Sequence, residues 1–306
     1  MVCKKCSETP VIKLPNSNIS LCKSCFVRYF EKKVLKTVRN YNLVEDNDYI
    51  GVAVSGGKDS TTLLYLLHKI TKNRKDIKLT AIAIDEGIEG YRDISLANLK
   101  KFCDRYKIIL KVFSYKDAFG KPLDEILKIN KDVVPCSICG VFRRYLLNKH
   151  SKDFGFTKLA TGHNLDDESQ TILMNFFRRN IKASARLGPI TGVINDSRFI
   201  RRIKPLYFLT EKEVTTYSYI KGFIDKYMEC PHDSDSYRAQ VRDMINDFEA
   251  KYPGTKHSVI SSFLEFLPLI RKNIEYKDNI KSCSICGEPS SKEVCQACKY
   301  FESITK

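Results

Sequence analysis

Tyr49-Ile50-Gly51-Val52-Ala53-Val54-Ser55-Gly56-Gly57-Lys58-Asp59-Ser60-Thr61-Thr62-Leu63-Leu64-Tyr65-Leu66-Leu67 is a strand, a glycine turn and a helix in succession. The apolar run Tyr49–Val54 has the length and turn-bounded ends of a buried strand, and Thr61–Leu67 continues as an apolar helix. Gly56 and Gly57 strip side chains from the turn between them. Backbone N–H groups and the helix N-terminus then converge on one point, which is how proteins hold a phosphate chain. Lys58 adds a point charge, and the Ser55 and Ser60 hydroxyls add donors.

The loop is not a Walker A. Counted from Gly51, that pattern wants Lys at 57 and Ser or Thr at 58, where Gly57 and Lys58 stand. Val54 through Ser60 instead resembles the PP-loop of the ATP pyrophosphatases, which cut ATP between its α and β phosphates and adenylate a substrate. The bland alternative is an ordinary strand-to-helix turn with a surface Lys.

Outward from the loop, strand-like runs alternate with helical ones. Ile50–Val54, Leu79–Ile84, Ile108–Phe113 and Lys158–Thr161 read as strands, and 58–70, 92–106, 137–150 and 166–179 as helices. This predicts an α/β fold, a parallel, Rossmann-like sheet covered by helices, with ligands at the carboxyl ends of its strands. Asp85-Glu86-Gly87 and Gly162-His163-Asn164 fall at such ends. Asp166-Asp167-Glu168 then open the next helix beside the loop, where carboxylates could hold Mg²⁺ against phosphates or simply cap the helix. His163 reads as a turn residue. Arg143 or Arg144 could clamp phosphate, or belong to a solvated basic face.

At 306 residues the chain has room for one main domain with accessories, and 43% hydrophobic with 29% charged residues is ordinary for a globular protein. No apolar stretch reaches the ~20 residues that span a bilayer, and Met1-Val2-Cys3-Lys4 is no signal peptide, so the expectation is a cytoplasmic protein without membrane contact. A net charge of +16, from 52 Lys and Arg against 36 Asp and Glu, favours a polyanionic partner.

Ten of the twelve cysteines stand in CxxC pairs. Cys3, Cys6, Cys22 and Cys25 form one quartet, and Cys283, Cys286, Cys295 and Cys298 another, the pattern of closed Zn²⁺ sites. The implied organisation is a zinc finger over 1–30, a nucleotide domain over 31–207, a helical basic extension over 208–280 and a second zinc finger over 281–306. Cys103 reads as core. Cys136, Cys139 and Cys230 remain. Three cysteines suit an iron–sulfur cluster with one iron open, a persulfide pair with a helper, a third zinc site completed by His232, or three unrelated residues, and spacing alone leaves these open.

Taken in order, these parts resemble the tRNA uridine 2-thiolation family. The likeness rests on the N-terminal CxxC pairs, Ser55–Ser60, Ile84-Asp85-Glu86-Gly87-Ile88, Pro135-Cys136-Ser137-Ile138-Cys139, Thr161–Glu168, Cys230-Pro231 and the C-terminal ribbon. It implies that ATP, held by Val54–Ser60 with Asp85, Gly162 and Asp166 and with Mg²⁺ near Asp166 and Asp167, adenylates C2 of a uridine. It implies a [4Fe-4S] cluster on Cys136, Cys139 and Cys230, and Asp167 and Arg143 as further catalytic candidates, Arg143 standing where some members have Lys. It also implies a homodimer, and a sulfur donor that is sulfide or a ubiquitin-like thiocarboxylate carrier. The wobble uridine, position 34, is the first choice and position 54 the alternative. For tRNA contact the candidates are Arg178-Arg179, Arg201-Arg202 and the basic helices of 238–281, with Tyr207 and Tyr237 for stacking. Against other PP-loop ligases, residue 2 is Val where an N-terminal-nucleophile amidotransferase needs Cys. Lysidine synthetases share Asp85-x-Gly but need no cluster cysteines, and thiocytidine synthetases lack both terminal quartets. The non-enzymatic alternative is a zinc-ribbon RNA-binding protein with an inactive nucleotide fold.

Overall fold

The computed structural model describes residues 2–129, 134–191, 198–223, 230–232, 236–274 and 280–305. The chain opens with a hairpin, β1 (Ile12–Lys13) and β2 (Ser20–Leu21), set between the first two CxxC pairs, and runs into α1 (Lys23–Asn40). The nucleotide domain follows as β3 (Tyr49–Ala53), α2 (Lys58–Thr71), β4 (Lys78–Asp85), α3 (Arg92–Tyr106), β5 (Ile109–Ser114), α4 (Tyr115–Phe119), α5 (Leu123–Ile129), α6 (Pro135–Asp153), β6 (Lys158–Ala160), α7 (Leu165–Phe177) and α8 (Ile181–Ser184). A short hairpin of β7 (Ile190–Thr191) and β8 (Arg201–Ile203) completes the sheet. Helices α9 (Glu211–Lys221), α10 (Tyr237–Lys251) and α11 (Thr255–Asn273) come next, then β9 (Lys281–Ser282), β10 (Pro289–Ser290) and α12 (Gln296–Thr305).

The six-stranded sheet has the order β5-β4-β3-β6-β8-β7, parallel except where β7 joins. Ile50 pairs with Leu79 on one side of β3, and Gly51 with Leu159 on the other. After β3 the chain builds β4 and β5 to one side, then crosses back to lay β6 and β8 on the other. The loops leaving β3 and β6 therefore part at a topological switch point, where parallel sheets bind ligands. Apolar residues on both faces drive this: Ile50, Val52, Leu63 and Leu64 are fully enclosed, as expected of strands covered by helices. Strand β5 departs from that pattern. It is the edge, and Ile109 and Val112 stay exposed.

A second core contains Ile138 and Phe142 of α6 together with Cys283, Cys295, Cys298 and Ile304 from the C-terminal ribbon. The ribbon is thus packed on the helix that carries Cys136 and Cys139. Asn148 and Lys152 of α6 both donate to Glu288, at 2.7 and 2.5 Å. A third core packs α7 on α11 through Leu165, Ile172, Ile260, Phe263 and Leu267.

Tyr207, an expected stacking platform for RNA, lies fully buried in that third core. An aromatic in a basic stretch reads as an RNA contact until the fold shows which way it faces. Tyr237 instead lies near the surface with Arg178 over its ring, 4.1 Å from the centroid.

Candidate active site

The turn after β3 is shaped by contacts that only glycine permits. Gly56 has φ +83°, and a Cβ there would lie 2.5 Å from the Ser95 carbonyl oxygen. A Cβ on Gly162, after β6, would meet the Ser60 nitrogen at 3.0 Å. Within the loop, Ser60 Oγ accepts from Ser55 N (3.1 Å) and donates to the Gly57 carbonyl (3.2 Å). Ser55 Oγ accepts from Gly57 N (3.3 Å). Gly57 is the N-cap of α2 and supplies no side-chain cap, so the first-turn N–H groups face the turn, ready for an anion.

Lys58 stands at the same end, bonded to Glu211 Oε1 (2.9 Å) and Asp59 Oδ2 (3.1 Å). Burial pulls its pKa down, but the two carboxylates outweigh that and hold it above its ordinary value. Asp85 turns back on its own backbone and accepts from Gly87 N at 2.9 Å.

The structure separates the two acids expected to share a metal. Asp166 is buried and both its oxygens are engaged: Oδ1 by the ammonium of Lys256 and Oδ2 by the backbone N–H of Glu211 (2.8 Å). It ties α7 to α11 and α9. Asp167 closes a capping box with Asn164, whose amide Nδ2 also donates to Asp59 Oδ1 at 3.0 Å. Burial, with the nearby Asp59 charge, pushes the Asp167 carboxyl up to about 6, although 36% of its side chain remains open at the recess. Two acids joined by one asparagine are suited to sharing a divalent cation, and Arg238 Nη1 stands 3.7 Å from Asp167 Oδ1 at the same recess. Asp166, expected among the ATP-binding residues and near Mg²⁺, has both its oxygens engaged by the fold, and Asp59 meets Asp167 through Asn164.

His163 accepts its expected place as a turn residue. Its Nδ1 lies 2.9 Å from Thr161 Oγ1, and burial among Lys204, Arg238, Arg202 and Arg144 lowers its pKa to about 3.

Cys136 and Cys139 stand on the first turns of α6, which starts at Pro135 after the N-cap Val134. Cys139 is buried; Tyr115 Oη donates to its carbonyl (2.7 Å) and lies 3.6 Å from its sulfur. Arg143, one turn on, donates from Nη2 to Cys139 Sγ at 3.3 Å, so it faces the sulfur rather than a phosphate. Cys230 packs against the same core, its thiol raised by burial and by the Cys139 and Cys136 sulfurs. Cys136 Sγ lies 3.6 Å from the His232 carbonyl, while His232 Nε2 is bonded to Asp124 Oδ1 at 2.9 Å.

Among the described residues, the two terminal quartets are the groups whose ligand atoms all fall within 4.8 Å. Cys6–Cys22 and Cys6–Cys25 stand 3.4 and 3.5 Å apart, and Cys283–Cys298 and Cys286–Cys295 3.8 and 3.7 Å. Four sulfurs at ~2.3 Å from one tetrahedral ion would lie about 3.8 Å apart, so both quartets fit zinc. The Ser24 hydroxyl, with the Cys25 N–H, pulls the Cys22 thiol down to about 6, towards the thiolate a metal needs. The trio at Cys136, Cys139 and Cys230 is spread more widely than this, with His232 turned to Asp124. That argues against a third single-ion site of the same kind.

Sequence reading placed Glu86 in a motif at a strand end without giving it a role, and did not single out Arg92. Glu86 was visible as a charge just past a buried strand, and Arg92 as the first residue of a helix, but nothing local to either reveals its partner.

The comparisons agree with this geometry. The PP-loop domain family matches residues 27–247, and the N-terminal LIM domain of the 2-thiouridine synthetase TtuA matches residues 2–27. The chain is therefore a PP-loop protein. It is 35% identical to the tRNA 2-thiolation protein NcsA of Haloferax volcanii over 99% of both chains, and 37% identical to the tRNA-5-methyluridine(54) 2-sulfurtransferase of Pyrococcus horikoshii over 98% of this chain and 94% of that one. The solved U34-tRNA thiolase NcsA of Methanococcus maripaludis, described with its [4Fe-4S] cluster, superposes with a TM-score of 0.84 at 35% identity, covering 99% and 96% of the two chains. The chain belongs to the tRNA 2-thiolation family. Among the described residues, no helix is long and apolar enough to cross a membrane.

Proposed function

We propose that this protein is a cytoplasmic, ATP-dependent tRNA sulfurtransferase that replaces the C2 oxygen of a uridine with sulfur, at wobble position 34. The observation that carries the reading is the joining of two sites. The loop at Ser55 and the sulfur of Cys139 are linked through Arg92, Glu86 and Arg143 alone. A phosphate loop beside a thiol centre suits a reaction that activates an oxygen with ATP and then displaces it with sulfur.

In that reaction the first-turn N–H groups of α2 and Lys58 bind the ATP phosphates. The uridine C2 oxygen attacks the α phosphorus and pyrophosphate leaves. Asp59 and Asp167 would hold Mg²⁺, whose charge offsets that of the phosphates. A sulfur nucleophile from the donor, sulfide or a ubiquitin-like thiocarboxylate, then attacks C2, and AMP departs with the original oxygen. Cys136, Cys139 and Cys230 would hold the [4Fe-4S] cluster, which when bound offers an iron without a protein ligand as a coordination position for sulfur. Arg143, at its sulfur, and Tyr115, at its carbonyl, would orient Cys139. The two quartets would each hold a structural Zn²⁺. The chain is expected to act as a homodimer, with tRNA reached through Arg178, Arg179, Arg201 and Arg202 and the basic helices; of these last, the part over 275–279 lies outside the described residues.

Position 34 is preferred because the superposable thiolase is named for it; one relative of similar identity is named for position 54. The test is anaerobic purification with iron, sulfide and zinc analysis, followed by ATP turnover with tRNA. About four irons and two zincs per chain, AMP formed only with tRNA, and 2-thiouridine found at position 34 are expected. Nucleotide binding without AMP would instead mark a non-catalytic RNA-binding protein, and thiolation confined to position 54 would move the substrate assignment.

A further inference from the structure

Glu86 follows β4 with its side chain only 4% exposed, and it carries two ion pairs. Its Oε2 lies 2.9 Å from Arg92 Nε and its Oε1 2.8 Å from Arg143 Nε. Arg92, 2% exposed, spends its other nitrogens on backbone: Nη1 donates to the Ser55 carbonyl at 2.5 Å, and Nη2 to the carbonyl of Ile84. Arg143 Nη2 reaches Cys139 Sγ at 3.3 Å. Loop carbonyl, guanidinium, carboxylate, guanidinium and sulfur form one unbroken row of polar contacts.

The charges in that row do not cancel. One carboxylate sits between two guanidiniums, so the row carries one surplus positive charge, buried at the Arg92 end and, at the Arg143 end, on a side chain 46% exposed to solvent. At the far end, the anionic group that approaches Ser55 is the nucleotide. Each guanidinium is planar and ion-paired to one oxygen of the same carboxylate, so a shift of Glu86 is felt by both arginines.

We propose that Glu86 is a positioning residue that couples the nucleotide loop to the Cys139 sulfur, so that the state of the thiol centre sets the affinity of the loop for ATP. The inference deepens the sulfurtransferase reading and rests on it, since it needs the two sites to serve one reaction. A Glu86 that only supported the fold would affect both sites without linking them.

The test compares the affinity of the full chain for a non-hydrolysable ATP analogue with Mg²⁺, by calorimetry, in cluster-loaded and cluster-free forms. The wild-type affinities are expected to differ by at least about 5-fold, the lower range for coupled sites. Glu86→Gln, which keeps the shape but not the charge, should bring the two within about twofold of one another, with zinc content unchanged. Equal affinities in the wild type would overturn the proposal. So would a Glu86→Gln chain weakened by the same factor in both forms, which is what a supporting residue would produce. Iron analysis precedes the titration: a chain that takes up no iron sinks the cluster assignment alone. Coupling is then read as the difference between wild type and Cys139→Ser, which Glu86→Gln must erase for the proposal to stand. Should Glu86→Gln fail to fold, Arg143→Gln leaves the Glu86–Arg92 pair in place and must collapse the ratio likewise; an unchanged ratio overturns the proposal.

Discussion

Asp167 titrates at about 6 because burial and the neighbouring Asp59 both disfavour its charge. The folded chain therefore binds a proton that the unfolded chain, with an ordinary carboxyl near 3.9, has already released between roughly pH 4 and pH 6. The stability from this group is fully present below about pH 4 and is lost as pH rises through 6, so at neutral pH the carboxylate is a burden kept for another purpose. Asp167→Asn should raise the melting temperature by ~2 °C at about pH 7.5 without Mg²⁺, after discounting for solvent at a partly open group. The gain should vanish near pH 4. A pH-independent gain in thermal unfolding would point to a packing effect instead. Lys58 makes a contrasting case, since Glu211 and Asp59 already occupy its ammonium and phosphates must compete for it. Lys58→Met should slow pyrophosphate release about 100-fold, in the range for removing one charge-stabilising donor. Single-turnover measurement checks this, with the melting temperature little changed. The importance of both residues was readable from sequence, because a loop and a helix start are local. Their partners were not: Glu211 lies on another helix far along the chain.

Helix α7 is held by a contact that no periodicity announces. Asp166 faces Lys256 of α11 in a pair where both side chains are buried, and Lys256 also donates to Asn246 Oδ1 at 2.6 Å on α10. Removing one member of such a pair leaves an unpaired charge inside. Lys256→Met should destabilise the chain by about 3 kcal/mol, seen as a lower midpoint in urea, and should loosen α11 before the sheet. A shift below about 0.5 kcal/mol would mean that water reaches Asp166 readily. The start of α7 was legible, with Asn164 capping it; α9 is capped likewise by Thr210, inside a stretch that sequence showed only as helical. Short β7 and β8 were not, since two or three residues carry no usable period.

The C-terminal ribbon reaches back to brace the thiol centre. Its cysteines share a core with Phe142 and Cys139, and Tyr300 meets Phe142 edge-on at 6.3 Å. Cys286→Ser should therefore do more than release one zinc. Metal analysis should fall from two zincs to one per chain, and a cluster reconstituted on the variant should lose iron to a chelator faster than wild type. Zinc loss with unchanged iron retention would make the ribbon an independent module. The N-terminal quartet gives the control, since Cys3, Cys22 and Cys25 pack in the other core, with α1 and β3.

The amino-acid order alone settled what depends on neighbours along the chain: the glycine turn after a buried strand, the thiol pairs two residues apart, the caps that start helices. These follow from backbone geometry within a few residues. Folding alone settled what depends on approach between distant segments. It committed Asp166 to Lys256, buried Tyr207, turned Arg143 to Cys139 and set Glu86 between two arginines. Each of these outcomes rests on where a side chain finds its counter-charge or its apolar neighbours, and those partners are brought near only when the sheet closes and the helices pack upon it.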